Sequence, residues 1–182
     1  MTALLMPNAN NVIPLRPASQ VPALPNATPL TRLRCWSESW HEEPGVLLPD
    51  MPADLINALP AAIDQARQDL EPGNPGEVMA ALTNLASRRG FPLPDGMALE
   101  LDVEVLASWP RDLWRKAFRN VWERFSYRRM PEVSDFRAHI ATDLDERRAR
   151  LDRLESMRLR LETIQLRIQW DEESRRRGRP CS

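Results

Sequence analysis

Glycine, cysteine, histidine, lysine and tyrosine are all scarce in this chain. Its 182 residues hold six glycines, two cysteines, two histidines and one tyrosine, and Lys116 is the single lysine. Each shortage closes off a class of chemistry. With so few glycines, no G-x-x-x-x-G-K-[ST] phosphate loop is spelled anywhere. Cys35 and Cys181 stand at no ligand spacing from His41 or His139, so no zinc site is expected. Two cysteines make no disulfide framework and read as reduced thiols of a cytoplasmic protein. His139 has Asp135 and Asp143 at i−4 and i+4, which suits pairs along one helix better than a catalytic triad. No apolar run approaches the length of a membrane span, and Leu4-Leu5-Met6 follows no charged segment, so neither a span nor a signal peptide is expected. The reading is a non-enzymatic, cofactor-free cytoplasmic protein.

Charge is balanced rather than polarised. The formal net charge is −1, with a mildly acidic first half and a slightly basic second half. Such a chain lacks the electrostatic footprint of a dedicated nucleic-acid binder, which favours protein partners. The near-exclusive use of arginine reads as the codon habit of a GC-rich bacterium or its phage.

Proline is abundant instead: 17 residues, eight of them before position 50. Residues 1–49 mix Pro, Asn and Ala with isolated aliphatics and are expected to be a disordered Pro-rich tail. Within it, residues 32–43 (RLRCWSESWHEE) place Leu33, Trp36 and Trp40 at i, i+3 and i+7, on one face of what would be a short helix of two to three turns. Trp36 and Trp40 are thus candidates either for a partner's groove or for folding back onto the protein's own core.

From residue 50 to 140 the periodicity predicts a small all-α helical bundle. Leu55, Ile56, Leu59, Ile63, Ala66 and Leu70 keep a helical period, although Pro60 is expected to kink or split that helix. Pro72 to Gly76 is a break. A second helix runs from Glu77 to Arg89, with Gly90 at the left-handed C-cap position. Residues 99–107 alternate like a strand, but no second strand exists to pair with them, so a short helix is the reading. The densest stretch, Ser108 to Arg129, carries Leu113, Trp114, Ala117, Phe118, Val121, Trp122 and Phe125 at threes and fours. It is the expected central helix of the core. Helix resumes after Met130-Pro131, capped near Met130 or by Ser134.

Residues 141–174 are expected to form a long projecting amphipathic helix, because Leu144, Leu151, Leu154, Met157, Leu161, Ile164 and Ile168 recur at helical spacing with Arg147 the one break. At 1.5 Å per residue this helix outruns the bundle that could cover it. Its distal face, Leu161, Ile164 and Ile168, is a candidate protein-binding surface, with Leu159, Leu166 and Trp170 as a second apolar flank. Homo-oligomerisation through 140–170 as a coiled coil and simple projection both fit the pattern. Residues 175–182 read as a basic disordered tail. Arg175, Arg176, Arg177 and Arg179 are candidate DNA contacts, because Arg177-Gly178-Arg179-Pro180 resembles an AT-hook core. Arg128 and Arg129 could join such a contact or serve the end of their own helix.

One longer pattern spans about Gly76 to Arg150. A helix, a turn at Phe91-Pro92 and a helix ending in Leu106 are followed by Trp109-Pro110 and Leu113. An aromatic helix bearing Ala117 then leads to Pro131 entering Asp135-Phe136-Arg137. This succession is similar to the phage and prophage replicative-helicase loader/inhibitor family, although about 75 residues precede it here. The resemblance implies an adaptor that binds a hexameric replicative helicase and holds it inactive or delivers it to an origin. The alternatives are a DNA-binding regulator using the AT-hook-like tail, or an oligomerising structural or assembly protein.

Overall fold

The computed structural model describes residues 27–39 and 51–177. Trp40, Arg179 and Cys181, and with them most of the expected N-terminal tail, lie outside the described residues. Among the described residues seven helices follow in order: α1 (Pro29–Ser39), α2 (Ala53–Gln68), α3 (Pro75–Arg89), α4 (Gly96–Ala107), α5 (Arg111–Arg124), α6 (Val133–Arg137) and α7 (Ala141–Arg177). Among the described residues there is no strand, only an isolated bridge between Pro72 and Pro110. The expected all-α architecture with a long C-terminal helix is what the chain adopts.

Local signals account for most of the boundaries. Asn74 caps α3, its Oδ1 accepting from the Gly76 and Glu77 amides at 2.8 and 3.3 Å. Gly90 ends that helix at φ 67°, a left-handed geometry in which a side chain is strained. Residues 99–107 are helical, with Val103 and Leu106 buried and Leu99 packed beside them. The alternation there reflects valine and leucine on a helix, not a pleat. Pro110 is the N-cap of α5 rather than its first residue. Glu132, and neither Met130 nor Ser134, caps α6, and the Asp135 carboxylate accepts from its amide at 2.8 Å. Acid at the N-cap and in the first turn suits the free N–H groups and the dipole there.

Two apolar cores are built on this frame. The first joins α3, α4, α5 and α6 to the start of α7 through Val78, Leu82, Leu85, Val103, Leu106, Trp114, Ala117, Val121, Phe136, Ile140 and Leu144. The second joins α1, α2 and the middle of α7 through Leu33, Leu55, Leu59, Ile63, Leu154 and Met157. Helix α7 is therefore the spine that enters both. At about 1.5–3 kcal/mol per fully buried large aliphatic side chain, the second core is a substantial unit.

That arrangement corrects three expectations. Residues 29–39 are not tail: Leu33 is fully buried and Trp36 packs beside it. Local composition predicted disorder because it ignores two distant stripes, those of α2 and α7, which α1 covers; the Arg32–Asp54 bond of 2.7 Å reinforces the contact. Pro60 neither ends nor splits α2, which is continuous from Ala53 to Gln68. Pro60 is exposed, and the Ile56 carbonyl four residues before it forfeits its helical bond. Finally, Arg175, Arg176 and Arg177 close α7 as its last turn rather than beginning a disordered tail.

Arg147, the break in the stripe of α7, sits where the two cores meet. Its Nη1 donates to the Asp69 carbonyl at 2.7 Å and to Asp112 Oδ1 at 2.9 Å, and its Nη2 donates to Asp112 Oδ2 at 2.5 Å. One side chain thus ties the end of α2 to the start of α5. Gly73 supports the same junction: its amide is shared between the Ala107 and Trp109 carbonyls at 2.8 and 3.0 Å. A Cβ there would stand 3.5 Å from the Trp109 oxygen.

Candidate protein-binding surfaces

A concave, largely apolar surface lies between α3 and α5. On α5, Trp114, Phe118 and Trp122 fall at i, i+4 and i+8, one above the other. Their rings are in contact, with centroids 5.3 Å apart for the first pair and 5.7 Å for the second. Trp114 is buried beneath, while Phe118 and Trp122 are half-buried and form the wall of a groove. The facing positions of α3 are small or polar, Ala81 and Asn84, and so leave a cavity of about 580 Å³. That volume is in the range of pockets that hold a ligand or an anchoring side chain.

Arginines rim this groove. Arg115 and Arg119 stand along α5, and the Arg88 guanidinium lies 4.5 Å from the centre of the Trp122 ring. The one acid, Glu77, is already engaged: Arg115 Nε donates to it at 2.6 Å and Arg111 Nη2 at 2.9 Å. Arg115 foremost, with Arg111, holds the Glu77 carboxyl below the usual carboxylate range. Arg89 secures the far end, donating to the carbonyls of Trp122 and Phe125 at 2.7 and 3.1 Å. The result is an aromatic slot with a basic edge, suited to an apolar anchor flanked by acidic groups.

The second surface is the distal part of α7. Beyond Met157, the last residue of α7 buried in a core, twenty residues continue as helix. Leu161 packs on the second core, Ile164 is half-buried and Ile168 is 53 % exposed. The candidate face Leu161-Ile164-Ile168 therefore rises out of the core turn by turn. Leu159, Leu166 and Trp170 are 65, 66 and 75 % exposed.

The remaining candidates separate. Trp36 is half-buried against the second core, so its apolar surface is largely spent within the chain. Arg175, Arg176 and Arg177 are exposed on a helix, where 100° steps send them to three different sides. Arg177 also reaches Glu173 at 3.3 Å. Arg129 does not serve the end of α5: it bonds Asp135, in the first turn of α6, at 2.8 and 3.2 Å and lies over Phe125 and Tyr127. Among the described residues no group of three or more His, Cys, Asp or Glu is placed to hold a metal ion, and no helix is long and apolar enough to cross a membrane.

The α3–α5 groove is the feature that sequence reasoning passed over, since Trp114, Phe118 and Trp122 read simply as core. The available signal was the helix opposite, whose Ala81 and Asn84 are too small or too polar to cover three aromatic rings. No protein-family model, curated protein or solved structure matches the chain.

Proposed function

We propose that the protein is a non-enzymatic adaptor that docks a short segment of a protein partner in the groove between α3 and α5. The observation that carries this reading is an open aromatic wall, Phe118 and Trp122, edged by Arg88, Arg115 and Arg119. Aromatic and arginine side chains around a concave apolar site are the composition of binding hot spots. The groove lies within residues 76–150, the stretch similar to the replicative-helicase loader/inhibitor family. That similarity supports a hexameric replicative helicase as the partner, loaded or inhibited in phage-type DNA replication. The helicase segment that enters the slot is then one with an apolar anchor and acidic neighbours.

The test is a binding titration of purified replicative helicase from the bacterium in which the chain is encoded. The intact protein should bind, and Arg119→Glu, an exposed change that leaves the core untouched, should weaken binding at least tenfold. Absence of binding removes the helicase as partner; binding unaffected by Arg119→Glu and Trp122→Ala removes the groove as its site.

A further inference from the structure

The distal part of α7 carries two apolar stripes on opposite sides. One continues the core-facing row from Met157 through Leu161 and Ile164 to Ile168. The other comprises Leu159, Thr163, Leu166 and Trp170, spaced four, three and four residues apart. Leu159 stands two residues from both Met157 and Leu161, about 200° around the helix, so this second stripe faces away from α1 and α2. Its three large members are 65, 66 and 75 % exposed. A spacing of four, three and four is a coiled-coil seam, with Leu159 and Leu166 at d and Thr163 and Trp170 at a.

We infer that this seam is occupied by a second copy of the chain, in a parallel, in-register pair of α7 helices. The flanking charges select the occupant and its direction. With this register Glu155 and Glu162 fall at g, and Arg160 and Arg167 at e. A parallel pair sets each g residue beside the e residue five positions on in the partner, which gives Glu155–Arg160 and Glu162–Arg167 across both sides of the seam. An antiparallel pair sets e beside e and brings Arg160 against Arg167, a like-charge contact.

Glu155 already accepts from Arg67 at 2.7 Å, so the selective contact is Glu162–Arg167. Among the described residues Glu162 makes a 3.6 Å contact with Arg158 of its own helix, and its side chain is 56 % exposed. The seam spans two heptads, less than a standard interface, so the dimer is weak and reversible. This inference is independent of the groove on α5 and of any helicase.

Sedimentation equilibrium of the full chain tests the association. The weight-average mass should rise from the 20.9 kDa of one chain towards twice that across micromolar to millimolar concentration. Glu162→Arg should abolish the rise, and Glu162→Arg combined with Arg167→Glu should restore it. Register is read by cysteine pairing in a Cys35→Ser, Cys181→Ser background whose helicity is unchanged. Leu166→Cys should oxidise to a covalent dimer, while Gln165→Cys, turned away from the seam, should not. A monomer at every concentration overturns the inference. So does a charge swap that fails to restore association, or covalent pairing only when Leu159→Cys is mixed with Trp170→Cys.

Discussion

Replacing Arg147 by methionine keeps an apolar stem in place and removes only the guanidinium that joins the two cores. Three hydrogen bonds are lost, two to Asp112 and one to the Asp69 carbonyl. Bonds to charged groups contribute about 1.5–3 kcal/mol each where they are buried, but Asp112 is 62 % exposed and re-solvates readily. The pair with Asp112 is therefore worth about 0.5–1 kcal/mol, and the half-buried Asp69 carbonyl loses about 1 kcal/mol more. With a urea m-value of about 2 kcal/mol/M for a domain of this size, the total of about 2 kcal/mol moves the unfolding midpoint down by about 1 M. Circular dichroism at the helical band measures it. Asp112→Asn tests the same contact through pH. The Arg147 hydrogen bond, chiefly, holds the Asp112 carboxyl below its usual range, so folding favours its charged form. The pair's contribution is complete above the unfolded carboxylate pKa of about 4 and disappears as pH falls through the depressed folded value. The deficit of Asp112→Asn should be present at neutral pH and absent in strong acid. A midpoint shift below about 0.2 M for Arg147→Met, given the same m-value, would refute the idea that this arginine couples the cores.

Three further outcomes follow from particular side chains. Leu33→Ala, at a fully buried position, should cost about 2–4 kcal/mol, and amide exchange should show faster opening of α1 while α3 to α5 remain protected. Gly90→Ala forces a side chain into the left-handed region at φ 67°; it should cost about 1 kcal/mol in thermal unfolding, whereas Gly96→Ala, within α4 and clear of neighbours, should be neutral or stabilising. Arg89→Ala removes the donor to the Trp122 and Phe125 carbonyls, and exchange of the last turn of α5 should accelerate without loss of the fold.

Much of the fold was legible because its signals are local or strictly periodic. The stripe of α5 places Trp114, Ala117 and Val121 in the core as its spacing requires, and Asn74 and Gly90 delimit α3 by capping chemistry alone. Residues 99–107 were settled by the absence of any strand to pair with. What escaped is long-range. Residues 29–39 are held as helix because α2 and α7 present apolar rows that α1 completes, and the α7 part of that surface, Leu154 and Met157, is stored more than a hundred residues away. The expectation that one bundle would extend from 50 to 140 failed to register that α2 turns its stripe towards α1 and α7. Arg147 read as a defect in a stripe, yet it meets Asp69 and Asp112, which belong to different helices. The groove was hidden for the same reason: aromatic periodicity reveals a packing face, and only the helix opposite decides whether that face is covered.

The central claim is that the slot between α3 and α5 receives a partner. Its most direct test follows the tryptophan signal and the binding isotherm together while purified replicative helicase is titrated into the intact protein and into Arg119→Glu. The account predicts saturable binding that perturbs the environment of Trp122 and is weakened at least tenfold in the variant. Saturable binding of equal strength by both proteins, or no binding by either, would contradict it.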